Sequence, residues 1–197
     1  KYKKYTLRKR NQKGGLEPTE LNDGDKVVYR DDQGQWKIAT YKEHTPAEAT
    51  GEYLFELLGK TGTYNKKFNR EQVEQMDIVI EVQFRTNKSK ESKLGINMKK
   101  INPVGSYINQ TTGNYKGTDS VGTPLGAEGI VNKQIIMVND DYVKDKTNRE
   151  TSEIINRKKT KRDILSLYLS ANDIISVDNN PVPEPKPEQK TVLPEPV

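Results

Sequence analysis

The sequence predicts a mainly β fold: a small antiparallel barrel, a β-rich elaboration after it, one or two short helices, and extended arms at both ends. Three observations carry that prediction. Between Gly24 and Phe84 short alternating apolar runs are cut by Asp, Gly and Asn punctuation, the pattern of successive hairpins. Hydrophobic residues are 31% of the 197 and charged residues another 31%, against roughly 45–50% and 25% in globular domains, so the core is small. The two ends are respectively a lysine- and arginine-rich stretch and a proline-rich stretch, neither of which builds a core.

The elements follow in order. Residues 1–22 lack periodicity and contain the Gly14-Gly15 break and Pro18, which reads as an arm. Lys26 to Arg30 is a first strand, with Val27 and Tyr29 on one face and Val28 on the other. Asp31-Asp32-Gln33-Gly34 supplies turn residues, and Trp36 to Tyr41 returns with Trp36 and Ile38 alternating against Lys37 and Ala39. Tyr53 to Leu58 places Tyr53, Phe55 and Leu57 on one face, and Gly59-Lys60-Thr61-Gly62 turns into a fourth strand, Thr63 to Phe68. Asn69 then caps a single helical turn. Ile78, Ile80, Val82 and Phe84 alternate with Val79, Glu81, Gln83 and Arg85 in the fifth strand.

Five short strands with a helical turn before the last resemble an SH3-like barrel, here spanning 23–86. Its expected core is Val27, Tyr29, Trp36, Ile38, Phe55, Leu57, Ile78, Ile80 and Val82. Residues 87–178 form the elaboration. Leu94 to Ile101 is one more strand; 102–132, rich in Gly, Asn, Thr and Ser, is a long loop; and Gln134 to Val138 restores a β signal. Asn148 to Arg157 is helical with Ile154 and Ile155 as anchors, Asp163 to Ser170 suits a strand or a short docking helix, and Ile174 to Val177 is a last strand. In the tail, 179–197, six of the chain's ten prolines alternate with Glu and Lys, which favours an extended polyproline-like conformation.

Charge narrows the partners. Lys1, Lys3, Lys4, Arg8, Lys9, Arg10 and Lys13 stand without an acid in the first thirteen residues; removing these seven from a net charge of +5 leaves the rest at −2. Arg157, Lys158, Lys159, Lys161 and Arg162 form a second basic cluster. Both clusters are candidate partner-binding surfaces, for nucleic-acid phosphate or for an acidic protein surface in an assembly.

Candidate chemistry is sparse. Cysteine is absent, which excludes disulfides and thiolate zinc sites, and the one histidine, His44, excludes two-histidine metal motifs. Gly59-Lys60-Thr61 echoes a phosphate-binding loop, but the position that needs glycine is Leu54, inside a predicted strand. Asp31-Asp32 and Asp140-Asp141 lack calcium-loop spacing and read as a turn and a strand end. Tyr29, Trp36, Tyr41, Tyr53 and Phe55 are the residue types of a methyl-lysine cage, although aromatics in so small a core more often just fill it. No catalytic residue, cofactor or metal is expected. No apolar run approaches about 18 residues and no signal-peptide pattern opens the chain, so neither a membrane span nor secretion is expected.

The Lys-, Asn- and Ile-rich, cysteine-free composition, with long arms around a small barrel, resembles the virion accessory proteins of tailed bacteriophages, both capsid auxiliary and head–tail ring or adaptor types. That resemblance implies a non-enzymatic structural protein of the virion, assembled in the host cytoplasm and bound through its arms to capsid or neck subunits. The alternative is a nucleic-acid-binding module of the Tudor or KOW type acting through the basic N-terminal arm.

Overall fold

The computed structural model describes residues 21–44, 52–59 and 61–174. The chain is mainly β. Ten strands form one antiparallel sheet: β1 (Lys26–Arg30), β2 (Trp36–His44), β3 (Glu52–Gly59), β4 (Gly62–Asn69), β5 (Asp77–Arg85), β6 (Ile96–Lys100), β7 (Ser106–Thr111), β8 (Lys133–Val138), β9 (Asp141–Tyr142) and β10 (Ile164–Asp173). Two helices accompany them, α1 (Arg70–Glu74) and α2 (Asn148–Lys159). The sheet order is β4-β3-β2-β1-β5-β10-β8-β7-β6, with β9 paired to β8.

The first five strands and the helical turn lie where the sequence puts them, in the order of an SH3-like barrel. Local chemistry explains the turns. The Asp31 carboxylate accepts from Gln33 and Gln35 backbone N–H at 3.0 and 2.7 Å, and Gly34 takes φ +76, which closes the β1–β2 hairpin. Asn69 caps α1: its side chain accepts from Gln72 N–H at 2.9 Å while the Gln72 side chain accepts from Asn69 N–H at 3.0 Å. Inside, Phe55 meets Phe68 and Tyr41 edge-on at 5.4 and 5.3 Å, and Tyr29 meets Phe68 at 5.2 Å. Val73 and Met76 of the helical turn complete this core.

The sheet does not end at the barrel boundary drawn at residue 86. β5 pairs on its far side with β10 over a register from Ile164–Arg85 to Ser170–Val79. Period-2 alternation gives β5 two buried faces, and along one of them its residues pass from the barrel core into a second core. Ile78 joins Val27, Tyr29, Phe55 and Leu57 in the barrel core, while Ile80 and Val82 join Phe84, Leu165, Leu167, Leu169, Ile108 and Ile155 in a second. Val79, on the opposite face, packs with Val28, Ile136 and Met137, and Trp36 and Ile38 pack here rather than in the barrel. The nine expected core residues thus divide among three clusters, and Trp36, Ile38, Ile78 and Ile80 are only half-buried.

Three further segments bear on the expectations, and one of them, the loop 102–132, needs correction. Of the strand or short docking helix expected at Asp163 to Ser170, the strand forms: Ile164 to Ser170 lie in central β10, where Leu165, Leu167 and Leu169 fill one core while Ser166 and Tyr168 face the other side. The loop 102–132 contains β7, which pairs with β6 and β8; only Ile108 of that strand is an aliphatic core residue, so alternation barely marks it. Its later part is tied down by bridges from Thr118 to Gln83 and Pro124. Of the expected strand 174–177, Ile174 follows β10 and donates its N–H to the Asn132 carbonyl at 2.7 Å; the rest lies outside the described residues. Among the described residues no helix is long and apolar enough to cross a membrane.

Candidate functional site

α2 is placed by its first turn. Thr147 accepts from Glu150 N–H at 3.3 Å, and the Glu150 carboxylate accepts from Thr147 N–H at 2.8 Å, a capping box that also holds Glu150 below the usual carboxylate range. Ile155 anchors the helix to the second core, and its last turn then projects Arg157 and Lys158 toward the β8–β9 turn. That turn forms at Asn139, φ +53, and presents Asp140 and Asp141.

Three of the five cations of the second basic cluster pair there. Lys158 bonds Asp140 and lies 3.3 Å from Asp141, Arg157 reaches Asp141 at 2.8 Å, and Arg162 reaches Asp140 at 3.4 Å. Lys159 is buried and donates to the Lys90 carbonyl at 3.2 Å. Chiefly through the Lys158 hydrogen bond, Asp140 is held below its ordinary value. Lys161 alone of the five is exposed without a polar side-chain partner among the described residues. Arg157, Lys158 and Arg162 form an internal clamp between the end of α2 and the β8–β9 turn. The arm cations Lys1, Lys3, Lys4, Arg8, Lys9, Arg10 and Lys13 lie outside the described residues, as do the tail 179–197 and the side chain of His44.

On the same side of the sheet a groove of about 990 Å³ runs from the β1–β2 turn to α2. Trp36 and Tyr142 stack across it, ring centres 3.9 Å apart and planes within 6°. Leu58 and Tyr64 of the β3–β4 hairpin continue its wall and are 82% and 52% exposed. Four aspartates, Asp31, Asp32, Asp140 and Asp141, line it opposite Lys37, Lys66, Lys146 and Arg157, so the groove is neutral overall. Desolvation pushes Tyr29 up to about 12 and Tyr142 further, so both phenols stay protonated at neutral pH. The five aromatics that suggested a cage are split: Tyr29, Tyr41, Tyr53 and Phe55 are buried in the barrel core, and Trp36 is on the other face.

Beside the groove lies a polar network that the sequence did not announce. Glu81 is 8% exposed and accepts from Gln83 Nε2 at 2.8 Å, Ser166 Oγ at 2.9 Å, Tyr168 Oη at 3.3 Å and the Lys26 ammonium. Burial raises its pKa, but these donors and the Lys26 charge outweigh burial and leave it lowered. The arrangement neutralises a buried carboxylate and locks β1, β5 and β10 in register. Its polar groups are saturated, which suits a structural role.

The remaining motif residues are turn chemistry. Gly59 pairs with Gly62 to close the β3–β4 hairpin, so the Gly59-Lys60-Thr61 echo belongs to a strand-to-strand turn. Among the described residues no three His, Asp or Glu side chains gather as a metal-binding group. Both outermost strands, β4 and β6, have no strand on their outer side among the described residues. No protein-family model, curated protein or solved structure matches the chain.

Proposed function

We propose that this chain is a non-enzymatic structural subunit of a large protein assembly, of the bacteriophage virion accessory kind that its sequence resembles. It would sit as a capsid auxiliary or neck ring and adaptor protein, bound to neighbouring subunits of the virion.

The observation that carries the reading is the β4 edge. β4 is eight residues long, with one side paired to β3. Counted from the closing Gly59–Gly62 pair, the alternation of an antiparallel ladder turns the N–H groups of Thr63, Asn65 and Lys67 outward. Exposed Leu58 and Tyr64 flank that row. A long edge with apolar side chains beside it templates pairing with another chain, and proteins that stay alone blunt such edges. Here Lys66 and Lys67, the charges that serve that purpose, are drawn to Asp32 and Glu52 at 3.1 and 2.8 Å. A strand or loop of a neighbouring subunit laid on β4 completes it.

The nucleic-acid module acting through the N-terminal arm gains nothing from the second basic cluster, whose cations are largely neutralised within the fold.

Hydrogen exchange on the chain alone and within the purified native particle tests the reading. The amides of Thr63, Asn65 and Lys67 become protected in the particle, and Asn65→Pro, which removes one outward donor, prevents incorporation while far-UV dichroism is retained. Equal exchange in both states, or a catalytic turnover lost on substituting an acid or base of the groove, overturns it.

A further inference from the structure

The cations that the fold leaves free are concentrated at its other rim. Residues 85–101, from the end of β5 through β6, hold Arg85, Lys88, Lys90, Lys93, Lys99 and Lys100 against the single acid Glu91. Lys88 is spent on Asp163 at 3.0 Å. Arg85, Lys90, Lys93, Lys99 and Lys100 are exposed, and their side chains meet no acid or other hydrogen-bond partner among the described residues. Elsewhere cations are largely neutralised: Lys26 on Glu81, Lys133 on Asp173, Lys144 on Asp77, Arg157, Lys158 and Arg162 on Asp140 and Asp141.

The rim is ordered before any partner arrives. Thr86 donates its N–H to the Asp163 carbonyl at 2.9 Å and its hydroxyl to the Arg162 carbonyl. Ser89 N–H returns to the Thr86 carbonyl at 3.0 Å, and Lys159 fastens the Lys90 carbonyl to α2 at 3.2 Å. Leu94, Ile96 and Met98 root the following strand in the second core. Lys99 and Lys100 alternate faces at an edge with no outer neighbour among the described residues, so both ammonium groups reach the rim.

Lysines on an edge strand ordinarily serve to deter strand addition. That accounts for Lys99 and Lys100. It does not account for Lys90 and Lys93, which lie in the loop that leads to the edge strand, where Glu91 is the single acid.

We propose that the β6 rim is a contact surface for the phosphate backbone of nucleic acid, engaged without base readout. Ile96 to Lys100 spans roughly 14 Å of extended strand, and Lys90 and Lys93 lie in the loop that leads into it. One strand of duplex DNA presents a phosphate about every 3.4 Å of axis, so these four lysines find phosphates in reach. An acidic protein segment is the competing occupant. Freely rotating ammonium groups spread over a loop and both faces of a strand suit a continuous line of phosphates better than a fixed pattern of carboxylates. The inference goes beyond the assembly reading and does not rest on it.

The test is fluorescence anisotropy of the full chain with a labelled 20-base-pair duplex across about 50–200 mM salt. Neutralising four phosphates gives a log–log slope of roughly −3.6 from the rim, a weakening of about 150-fold over that range. Lys90→Gln, Lys93→Gln, Lys99→Gln and Lys100→Gln together reduce the measured slope by roughly three to four. The same reduction appears in a chain whose seven N-terminal cations are already glutamine, which separates the rim from the arm. Three results overturn the proposal: no binding at the low-salt end; a slope altered by less than about one by the rim variant; or a polyglutamate that displaces the duplex at equal charge concentration, which assigns the rim to an acidic protein.

Discussion

Removing the Glu81 carboxylate tests whether the network beside the groove holds three strands together. In Glu81→Ala the Lys26 ammonium, the Gln83 amide and the Ser166 and Tyr168 hydroxyls all lose an acceptor on β5. Breaking a buried ion pair from one side costs about 3–5 kcal/mol. Lys26 is 28% exposed and recovers part of its hydration, which places the expected loss near the lower end, about 3 kcal/mol. With a urea m-value of about 2 kcal/mol/M, the unfolding midpoint falls by roughly 1.5 M. The double variant Lys26→Met, Glu81→Leu removes both charges and recovers more than half of that loss, because the hydroxyls can turn to each other or to water while no ammonium is stranded. pH supplies an independent check. The folded pKa of Glu81 lies below its ordinary value, so its stabilisation is complete above about pH 4.5 and is lost as pH falls through the lowered folded value. Glu81→Gln therefore flattens the acid limb of the stability curve. A single variant that costs under about 1 kcal/mol, or a double variant no more stable than the single, refutes the reasoning.

Two other substitutions probe the elaboration. Gly95 sits at φ +71 with its α-carbon against the Tyr115 backbone, where a Cβ would overlap Tyr115 N and Cα, so Gly95→Ala forces that loop off Phe84. A cost above about 2 kcal/mol in denaturant unfolding is expected, and a value within about 0.5 kcal/mol of wild type contradicts the packing. Thr147→Ala removes one half of the α2 capping box and costs about 1 kcal/mol, while Thr147→Ser, measured in the same urea titration, costs little.

The barrel was legible because its strands alternate clearly at period two between turns, even where, as in β1 and β5, both faces are buried. Val27, Tyr29, Phe55 and Leu57 repeat at period two between turn residues whose hydrogen bonds are local, and local chemistry is what a sequence states most directly. β10 was ambiguous between helix and strand because it is interior and packs on both faces, so its apolar residues crowd. β7 was missed for the opposite reason, its alternation resting on Ile108 alone. The pairing of Arg157, Lys158 and Arg162 within the fold was not legible for a different reason. A run of cations looks solvated until the fold brings acids beneath it, and Asp140 and Asp141 arrive there only through the left-handed turn at Asn139. The rim cations escaped notice because polar residues space them across a loop and a strand, so no block forms in the sequence; their significance comes from the missing acids.

The two proposed contacts lie at opposite ends of one sheet. β4 and β6 are separated by eight strand-to-strand steps, roughly 38 Å along the sheet at about 4.8 Å each. β5 joins the halves by contributing Ile78 to one core and Val82 and Phe84 to the next, so neither half can shift without breaking a shared strand. A rigid sheet of that kind, with a protein-pairing edge at one end and a phosphate-facing rim at the other, fixes the distance between whatever the two ends hold. The arrangement predicts independence of the two contacts in affinity and dependence on each other in position. Asn65→Pro should leave the salt slope on duplex DNA unchanged, and the four-lysine rim variant should leave the Asn65 amide as protected in the particle as it is in wild type. A rim variant that also exposes that amide would mean that the two ends are not separate contacts, and the bridging role would fail with it.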